Sequence, residues 1–438
     1  MKALFIRLYS MPRRLLKKDL LKQTLKLSAI SMLANFLGFL IPSLIAWQFG
    51  ISKDTDNFFF SYGIITFAST IFTAALRSSI VPFLTEKLAN KEGFDTFVSS
   101  LFYYSFYVVS IVSGVLLAVF LGLNHFTQSN FYFYLALSVP ILFFTVQNAI
   151  CYGILNTMKQ YYVAETSPFS RAIVIYCCIF FLGKTFGIAA VIIGYNLGEM
   201  AKFIHLMYII RKKNKIRLSR RLVDYAEIKP FLKEGSYQAI STTIISASPV
   251  IDKVVASFLI VGSVSILDYG NRLFMIFNVL FSSFLVIILS KWSEDVVQKR
   301  FSVKKMNQTI VGVFIITFSI FLLVLLFRSQ VVYILYPKIH AGDRELIATV
   351  LVLNMAGFIF NSSNQVINRA TLAFKSTNIL IRISIIKSII NVVMDVVLAI
   401  RFGVIGIAVS TILVHLSGFV MNYYLFQSEQ KKLLVKAI

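Results

Sequence analysis

Twelve ionisable side chains fall inside stretches that are otherwise rich in leucine, isoleucine and phenylalanine: Arg77, Arg171, Glu199, Lys202, Asp252, Lys253, Arg272, Arg328, Arg369, Arg382, Lys387 and Asp395. A charge set in the hydrocarbon of a bilayer costs on the order of 2.5–3.5 kcal/mol even on insertion scales, so each must meet water, a counter-charge or a ligand. Nine of the twelve are cations. An interior with that bias suits an anion. Arginine suits phosphate in particular, because its planar fork makes paired hydrogen bonds and keeps its charge when desolvated. Arg171, Lys202, Arg328 and Arg382 are placed where a long side chain can extend to the interface. Arg77, the adjacent Asp252 and Lys253, and Arg272 are harder to dismiss in that way. Neighbours on a helix point about 100° apart, so at least one of Asp252 and Lys253 faces the interior, either in an ion pair such as Asp252 with Arg272 or lining a polar cavity. Glu199, in GYNLGEMAKF, is the candidate for a proton or sodium site that couples transport to an ion gradient.

The elements that carry these residues are membrane spans. Of 438 residues 58% are apolar, 15% aromatic and only 14% charged, and the mean hydropathy is +0.79. Apolar runs long enough to cross a hydrocarbon core of about 30 Å recur along the whole length. Twelve are expected, near 27–50, 58–84, 98–123, 131–153, 167–182, 187–210, 234–260, 267–290, 309–332, 345–370, 379–400 and 404–426. The first two form a hairpin over residues 39–84, with Pro42, then Asp54 and Asp56 in the polar turn, then Arg77. The formal charge is +24, which in a soluble protein would point to nucleic acid. Here 29 lysines and arginines lie in the inner segments and 5 in the outer ones, so the excess reports topology. By the positive-inside rule both termini are expected in the cytoplasm.

The fold class that follows is an all-α polytopic membrane protein of about 12 transmembrane helices in two six-helix lobes around a central cavity. A basic cytoplasmic arm occupies residues 1–26, the N-lobe 27–210, a basic linker 211–233, the C-lobe 234–426 and a cytoplasmic tail 427–438. The arm has no small-residue cleavage pattern and reads as retained, not as a signal peptide. The two halves are weakly alike: Pro42, Asp56 and Arg77 in the first hairpin are echoed by Pro249, a turn reaching Asp268, and Arg272. Duplicated lobes are how many secondary transporters build alternating access.

Several chemistries are excluded. Cys151, Cys177 and Cys178 sit in spans without metal-ligand spacing, and the four histidines show no paired spacing, so no metal and no cofactor is expected. No phosphate-binding Gly-Lys-Ser/Thr loop is present to drive an ATP-powered pump. The outer connections are short, which argues against a membrane polysaccharide polymerase or any other enzyme.

The segment FLGFLIPSLIAWQFGISKDTDNFFFSYGI resembles the opening hairpin of the multidrug/oligosaccharidyl-lipid/polysaccharide exporter superfamily, particularly the lipid II flippases and their polysaccharide-flippase relatives. The likeness continues in ILNTMKQYYVAETSP, in VVASFLIVGSVSILDYGNRLF and in NRATLAFKSTNILIRISIIKSIINVV. The resemblance implies a V-shaped cavity between lobes that moves an undecaprenyl-pyrophosphate-linked glycan across the bacterial inner membrane. It places Arg272 where lipid II flippases keep a cavity arginine, and Arg77 more loosely. Where those flippases carry an arginine-aspartate pair in the first span this chain has Ile41 and Pro42, and Asn271 precedes the span-eight arginine. With twelve spans in place of fourteen, these departures favour an O-antigen- or capsule-type flippase, with a lipid II flippase and a multidrug antiporter as alternatives. In that reading Arg77 and Arg272 hold the pyrophosphate, Lys253 and Asp252 line the same cavity, and Asn57, Asn271 and Gln238 meet sugar hydroxyls. The partners are a lipid-linked oligosaccharide, membrane lipids and other glycan-assembly proteins, with no nucleic acid.

Overall fold

The structure is a computed structural model that describes residues 33, 36–90, 93–214, 216, 223, 225–374 and 376–436. The expected arm over 1–26 and, within the 211–233 linker, residues 215, 217–222 and 224 lie outside them. Inside a bilayer no water satisfies the backbone, so a spanning chain closes its hydrogen bonds within helices. The described elements are helical throughout. In the first half they are α1 (Phe36–Phe49), α2 (Lys53–Asn90), α3 (Phe94–Thr127), α4 (Asn130–Thr157), α5 (Tyr161–Phe186) and α6 (Ala189–Tyr208). The second half holds α7 (Tyr225–Ser246), α8 (Ser248–Ser257), α9 (Ser263–Gly270), α10 (Arg272–Val297), α11 (Val303–Leu326), α12 (Arg328–Leu335), α13 (Ala341–Ala373) and α14 (Thr377–Lys436).

Seven of the described helices are long and apolar enough to cross a membrane. One of them, α14, bends at Gly403, whose φ of 58° with ψ of −139° is a conformation open essentially to glycine alone. That bend makes two passes out of one 60-residue helix. The expected seventh span arrives broken. Pro249 sits in the first turn of α8, where its missing N–H is harmless, and the chain bends just before it. The eighth span is locally irregular at Asn271, which keeps right-handed helical dihedrals and the hydrogen bonds to Leu267 and from Met275, so Arg272 follows Asp268 on a nearly continuous helix close to the start of the span. The ninth span is shorter than expected. It stops at Leu326, and Arg328 opens the short α12, where it pairs with Glu345 at 2.7 Å with both side chains exposed. Arg328 is therefore not an intramembrane charge.

In the N-lobe α2 packs on α4 and α5 on α6; in the C-lobe α13 is the central helix, against α10, α11 and α14. The buried polar side chains lie along these inner helices, whereas α3 and α11 turn Phe106, Ile111, Val115, Ile315 and Leu323 outward, as lipid-facing helices do.

The seam between the lobes is closed at both ends. At the end expected to be outer, Asp56, in the first turn of α2, accepts the backbone N–H of Gly262 at 2.6 Å, the N–H of Ser265 at 2.8 Å and the Ser265 hydroxyl at 2.5 Å. A carboxylate there meets the positive end of α9. Gly262 has φ of +100°, and a Cβ on it would stand 2.7 Å from Ile51, so the close approach requires glycine. Tyr269 donates to the Gly50 carbonyl, and the Lys338 ammonium lies 3.8 Å from the centre of the Trp47 ring. At the opposite end, expected to be cytoplasmic, the start of α7 is seated in the N-lobe. Ile228 and Phe231 share one buried cluster with Ile80, Leu84 and Phe97, and Phe231 meets Phe83 and Phe97 edge-on at 5.6 and 6.1 Å. Lys87 pairs with Glu227 at 2.8 Å.

Replacing Asp56 with alanine removes three charge-assisted hydrogen bonds from the outer seam, each worth about 1.5–3 kcal/mol. A Ser263→Cys reporter, buried in the closed seam, is then expected to react with a membrane-impermeant maleimide at least about tenfold faster. Unchanged labelling would mean that something other than Asp56 holds this face shut.

Candidate functional site

Each lobe builds one cluster in which two cations share a single carboxylate. In the C-lobe the carboxylate is Asp268, buried on α9. Lys253 on α8 places Nζ 2.7 Å from its Oδ1, and Arg272, one turn onward, pairs with its Oδ2. Lys253 also reaches across the seam, donating to the Phe59 carbonyl at 3.1 Å while its stem lies along α2 at Gly63. The pairing of Asp252 with Arg272 expected from the sequence does not form. The i,i+4 spacing puts Asp268 under Arg272, and Asp252 turns the other way, into the C-lobe, where it meets Asn391.

In the N-lobe the carboxylate is Glu199, near the middle of α6 and buried. Arg171 on α5 approaches it at 2.9 Å, a contact of charge proximity because its Nε–H is not aimed at the oxygen. Lys202 stands 3.7 Å away, and Asn148 on α4 donates to the second oxygen at 2.8 Å. Arg171 and Lys202 were expected to extend to the interface. Both instead stay at the depth of Glu199, which supplies the counter-charge that lipid lacks. Glu199 itself was the candidate proton or sodium site. Two cations and an amide already stand against the carboxylate, so its negative charge is compensated from within the lobe.

Two tyrosines join the clusters. Arg171 donates to the Tyr62 hydroxyl at 3.2 Å and lies 5.2 Å from the centre of the Tyr195 ring. The two rings are 4.4 Å apart, and Tyr195 is within electrostatic reach of Arg171, Arg272 and Asp268 together. Arg171, Lys253 and Arg272 keep 29%, 16% and 18% of their side-chain surface open, against 5% for each carboxylate. The cations therefore present the accessible face of the site. Counting charges, each cluster carries one positive charge in excess. The two face each other across Tyr62 and Tyr195 on the seam.

The remaining candidates fall out as follows. Asn57 is half-buried beside Asp56 in the outer seam, and Asn271 immediately precedes Arg272. Arg77 lies on α2 and Gln238 on α7, with side chains outside the described residues. Asp252 accepts from Asn391 at 3.1 Å, and the same amide nitrogen donates to Asp395 at 3.0 Å. Ser248 donates to the Asn391 oxygen at 2.8 Å, while the Ser410 hydroxyl and Asp395 Oδ1 are buried without a hydrogen-bond partner. Two carboxylates held on one amide, with an unpartnered acid oxygen beside them, are suited to holding a proton. Among the described residues no group of three or more His, Cys, Asp or Glu is placed to hold a metal. Asp268, Tyr62 and Tyr195 are the residues that the sequence reading missed. The signal for Asp268 was its spacing: it stands four residues before Arg272, which puts the two on one helical face.

The chain matches the model of a family described as "Lipid II flippase MurJ" over residues 45–437. Probable lipid II flippases of this kind are similar to it: one from Thermotoga maritima is 26% identical over 421 residues, covering 91% of this chain and 84% of that protein. One from Buchnera aphidicola (subsp. Baizongia pistaciae) is 29% identical over 311 residues, covering 65% of this chain and 59% of that protein. Among solved structures, a lipid II flippase in an inward closed conformation superposes with a TM-score of 0.77 at 22% identity, over 94% of this chain and 90% of that one. A multidrug transporter of the same superfamily in an inward-facing conformation gives 0.70 at 15% identity, over 92% and 95%. These likenesses establish the all-helical, multi-pass membrane fold.

Substituting Asp268 with alanine leaves Lys253 and Arg272 inside the membrane without their counter-charge. Breaking such a pair from one side costs about 3–5 kcal/mol, so a clear drop in the melting temperature of the detergent-solubilised protein is expected. Adding Lys253→Met to Asp268→Ala should recover part of it. A single variant as stable as the parent would mean that water satisfies the two cations.

Proposed function

The chain belongs to the lipid II flippase MurJ family, and from that premise we propose that it moves an undecaprenyl-pyrophosphate-linked peptidoglycan precursor across the bacterial inner membrane by alternating access. The observation that carries this reading is the pair of net-positive clusters, one per lobe, facing each other across Tyr62 and Tyr195. A pyrophosphate entering between the lobes meets Arg272 and Lys253 on one side and Arg171 on the other. Each of these cations is already held at half-strength by a shared carboxylate, so the phosphate completes its coordination without leaving a bare charge when it departs. Aromatic faces beside the guanidiniums favour sugar rings, with Asn57, Asn271 and Gln238 as further polar contacts and Arg77 as an added cation on α2. The lipid tail stays in the hydrocarbon throughout.

The O-antigen or capsule reading rested on what the first span and Asn271 lack. That argument loses its force, because cations absent there stand at Lys253 and Arg171, and the family match favours the peptidoglycan precursor. A multidrug antiporter shares the fold, but a site with surplus positive charge repels cationic drugs. The reaction is transport, and no enzymatic step is involved. The ion-coupling role sought at Glu199 belongs in this reading to Asp252 and Asp395.

The test is complementation in bacteria depleted of their own lipid II flippase, together with flipping of labelled lipid II in vesicles. Arg272→Ala and Arg171→Ala are each expected to slow flipping at least about tenfold, the worth of one charge-assisted contact, with membrane levels unchanged. Parental growth and flipping by the double variant would discard the proposal. Selective flipping of another polyprenyl-linked glycan, with lipid II untouched, would return the assignment to the polysaccharide flippases.

A further inference from the structure

Lys253 belongs to the C-lobe cluster, yet it also grips the N-lobe. Its ammonium donates to Asp268 Oδ1 at 2.7 Å within its own lobe and to the Phe59 carbonyl of α2 at 3.1 Å across the seam. It stands 5.9 Å from the centre of the Phe59 ring. The stem reaches that carbonyl past Gly63, one turn further along α2, where a Cβ would lie 3.0 Å from the lysine Cδ and 3.4 Å from Nζ. Gly63 is buried in a regular helix and has no positive φ to require glycine. What it provides is room for the lysine to cross.

The point that Lys253 grips is part of the outer closure. Phe59 follows Asp56 by three residues on α2, and its ring meets Tyr269 edge-on at 5.2 Å. Tyr269 donates to the Gly50 carbonyl at 3.3 Å, and its own carbonyl accepts the Tyr336 hydroxyl at 3.1 Å. The C-lobe thus holds α2 twice, through Asp56 in the first turn and through Lys253 one turn deeper. The second hold is made by a member of the cationic site.

An ammonium has three donors and no acceptor. Of the partners within its reach the Phe59 carbonyl is the weak one, because hydrogen bonds between two ionised groups are stronger than those to a neutral oxygen. A pyrophosphate between the lobes offers ionised oxygens to a point charge on a flexible four-carbon stem. Arg272 pairs within the C-lobe and Arg171 within the N-lobe, so neither carries the effect of an arriving anion to the seam in this way. We propose that Lys253 is a latch that the pyrophosphate releases: the anion draws the ammonium off the Phe59 carbonyl while Asp268 keeps it in the C-lobe, and the outer seam loses its deeper hold. The inference rests on the pyrophosphate reading of the site and adds what occupancy does to the closure above it.

The test uses the purified full-length protein carrying the Ser263→Cys reporter, with Cys151, Cys177 and Cys178 replaced by alanine. Geranylgeranyl pyrophosphate, a short prenyl pyrophosphate, is the probe; equilibrium dialysis measures its binding and the rate of maleimide labelling measures the outer seam. In the parent, saturating probe is expected to speed labelling at least about tenfold, the worth of one charge-assisted hydrogen bond. Lys253→Met should label fast without the probe and no faster with it. Gly63→Leu, which keeps the ammonium and blocks its path, should also label fast from the start while still binding the probe. Tyr269→Phe serves as the control for a seam that is merely loosened: it removes the bond to Gly50, should label faster at rest and should keep its response. Bound probe with unchanged labelling of the parent, or a Lys253→Met variant that responds as the parent does, overturns the latch and leaves the pyrophosphate site standing. A Tyr269→Phe variant as unresponsive as Lys253→Met overturns it as well. A parent that binds no probe overturns site and latch together. Where Gly63→Leu prevents folding, Lys253→Met and Tyr269→Phe decide.

Discussion

The structure depends on a single electrostatic arrangement, the carboxylate shared by two cations in a place where water does not reach freely. An isolated arginine or lysine at that depth is unfavourable by several kcal/mol. A fully matched ion pair would remove the penalty, but it would also remove any reason for an anion to visit. Two cations on one carboxylate lie between these limits. Asp268 and Glu199 each make their neighbours tolerable while leaving one positive charge uncommitted. The rest of the site follows from where these two acids sit: on α9 one turn before Arg272, and on α6 in contact with α5.

Helical spacing and small residues place the clusters. The helical spacing through Asn271 puts Asp268 and Arg272 on one face. Gly63 and Gly198 have the same positional logic. A Cβ at Gly63 would touch the Lys253 stem, and one at Gly198 would stand 2.9 Å from the Arg171 carbonyl. The first lets a C-lobe lysine cross the seam. The second lets α5 and α6 approach closely enough for Arg171 to reach Glu199.

Much of this fold was legible in the sequence, because hydropathy and the lysine-arginine bias act over twenty residues at a time and tolerate local error. The spans and their grouping into two lobes follow from such signals. Pairings did not. Asp252 and Asp268 are both plausible partners for Arg272 by spacing, and only the direction in which α8 turns after Pro249 decides between them. Arg171 looked like a residue that could extend to the interface, since nothing local in its sequence reveals that Glu199, 28 positions later, lies beside it. Tyr62 and Tyr195 are ordinary span tyrosines until two helices bring their rings within 4.4 Å. Departures from the family pattern weighed too heavily in a related way: the missing first-span charges were visible, whereas the place of Arg171 beside Glu199 was recognisable only in three dimensions.

The two closed ends of the seam are chemically unlike, and that difference sets what opens each. The outer closure is a carboxylate on a helix end, with Asp56 receiving two backbone N–H groups and a hydroxyl. Separating those partners exposes groups that outside water satisfies at once, so the net loss is a fraction of the gross hydrogen-bond energy. The cytoplasmic closure is largely apolar, Phe231 wedged against Phe83 and Phe97 with Ile228 beneath. Opening it exposes aromatic surface to water at about 25 cal/mol per Å², with only the Lys87–Glu227 pair readily hydrated. A lipid substrate arriving from the cytoplasmic leaflet can cover that surface as the wedge withdraws, because its own apolar part accompanies the headgroup. No such cover is needed outside, where release into water and the outer leaflet completes the step. An apolar end that opens against a lipid, and a polar end that opens against water, give the two openings different triggers.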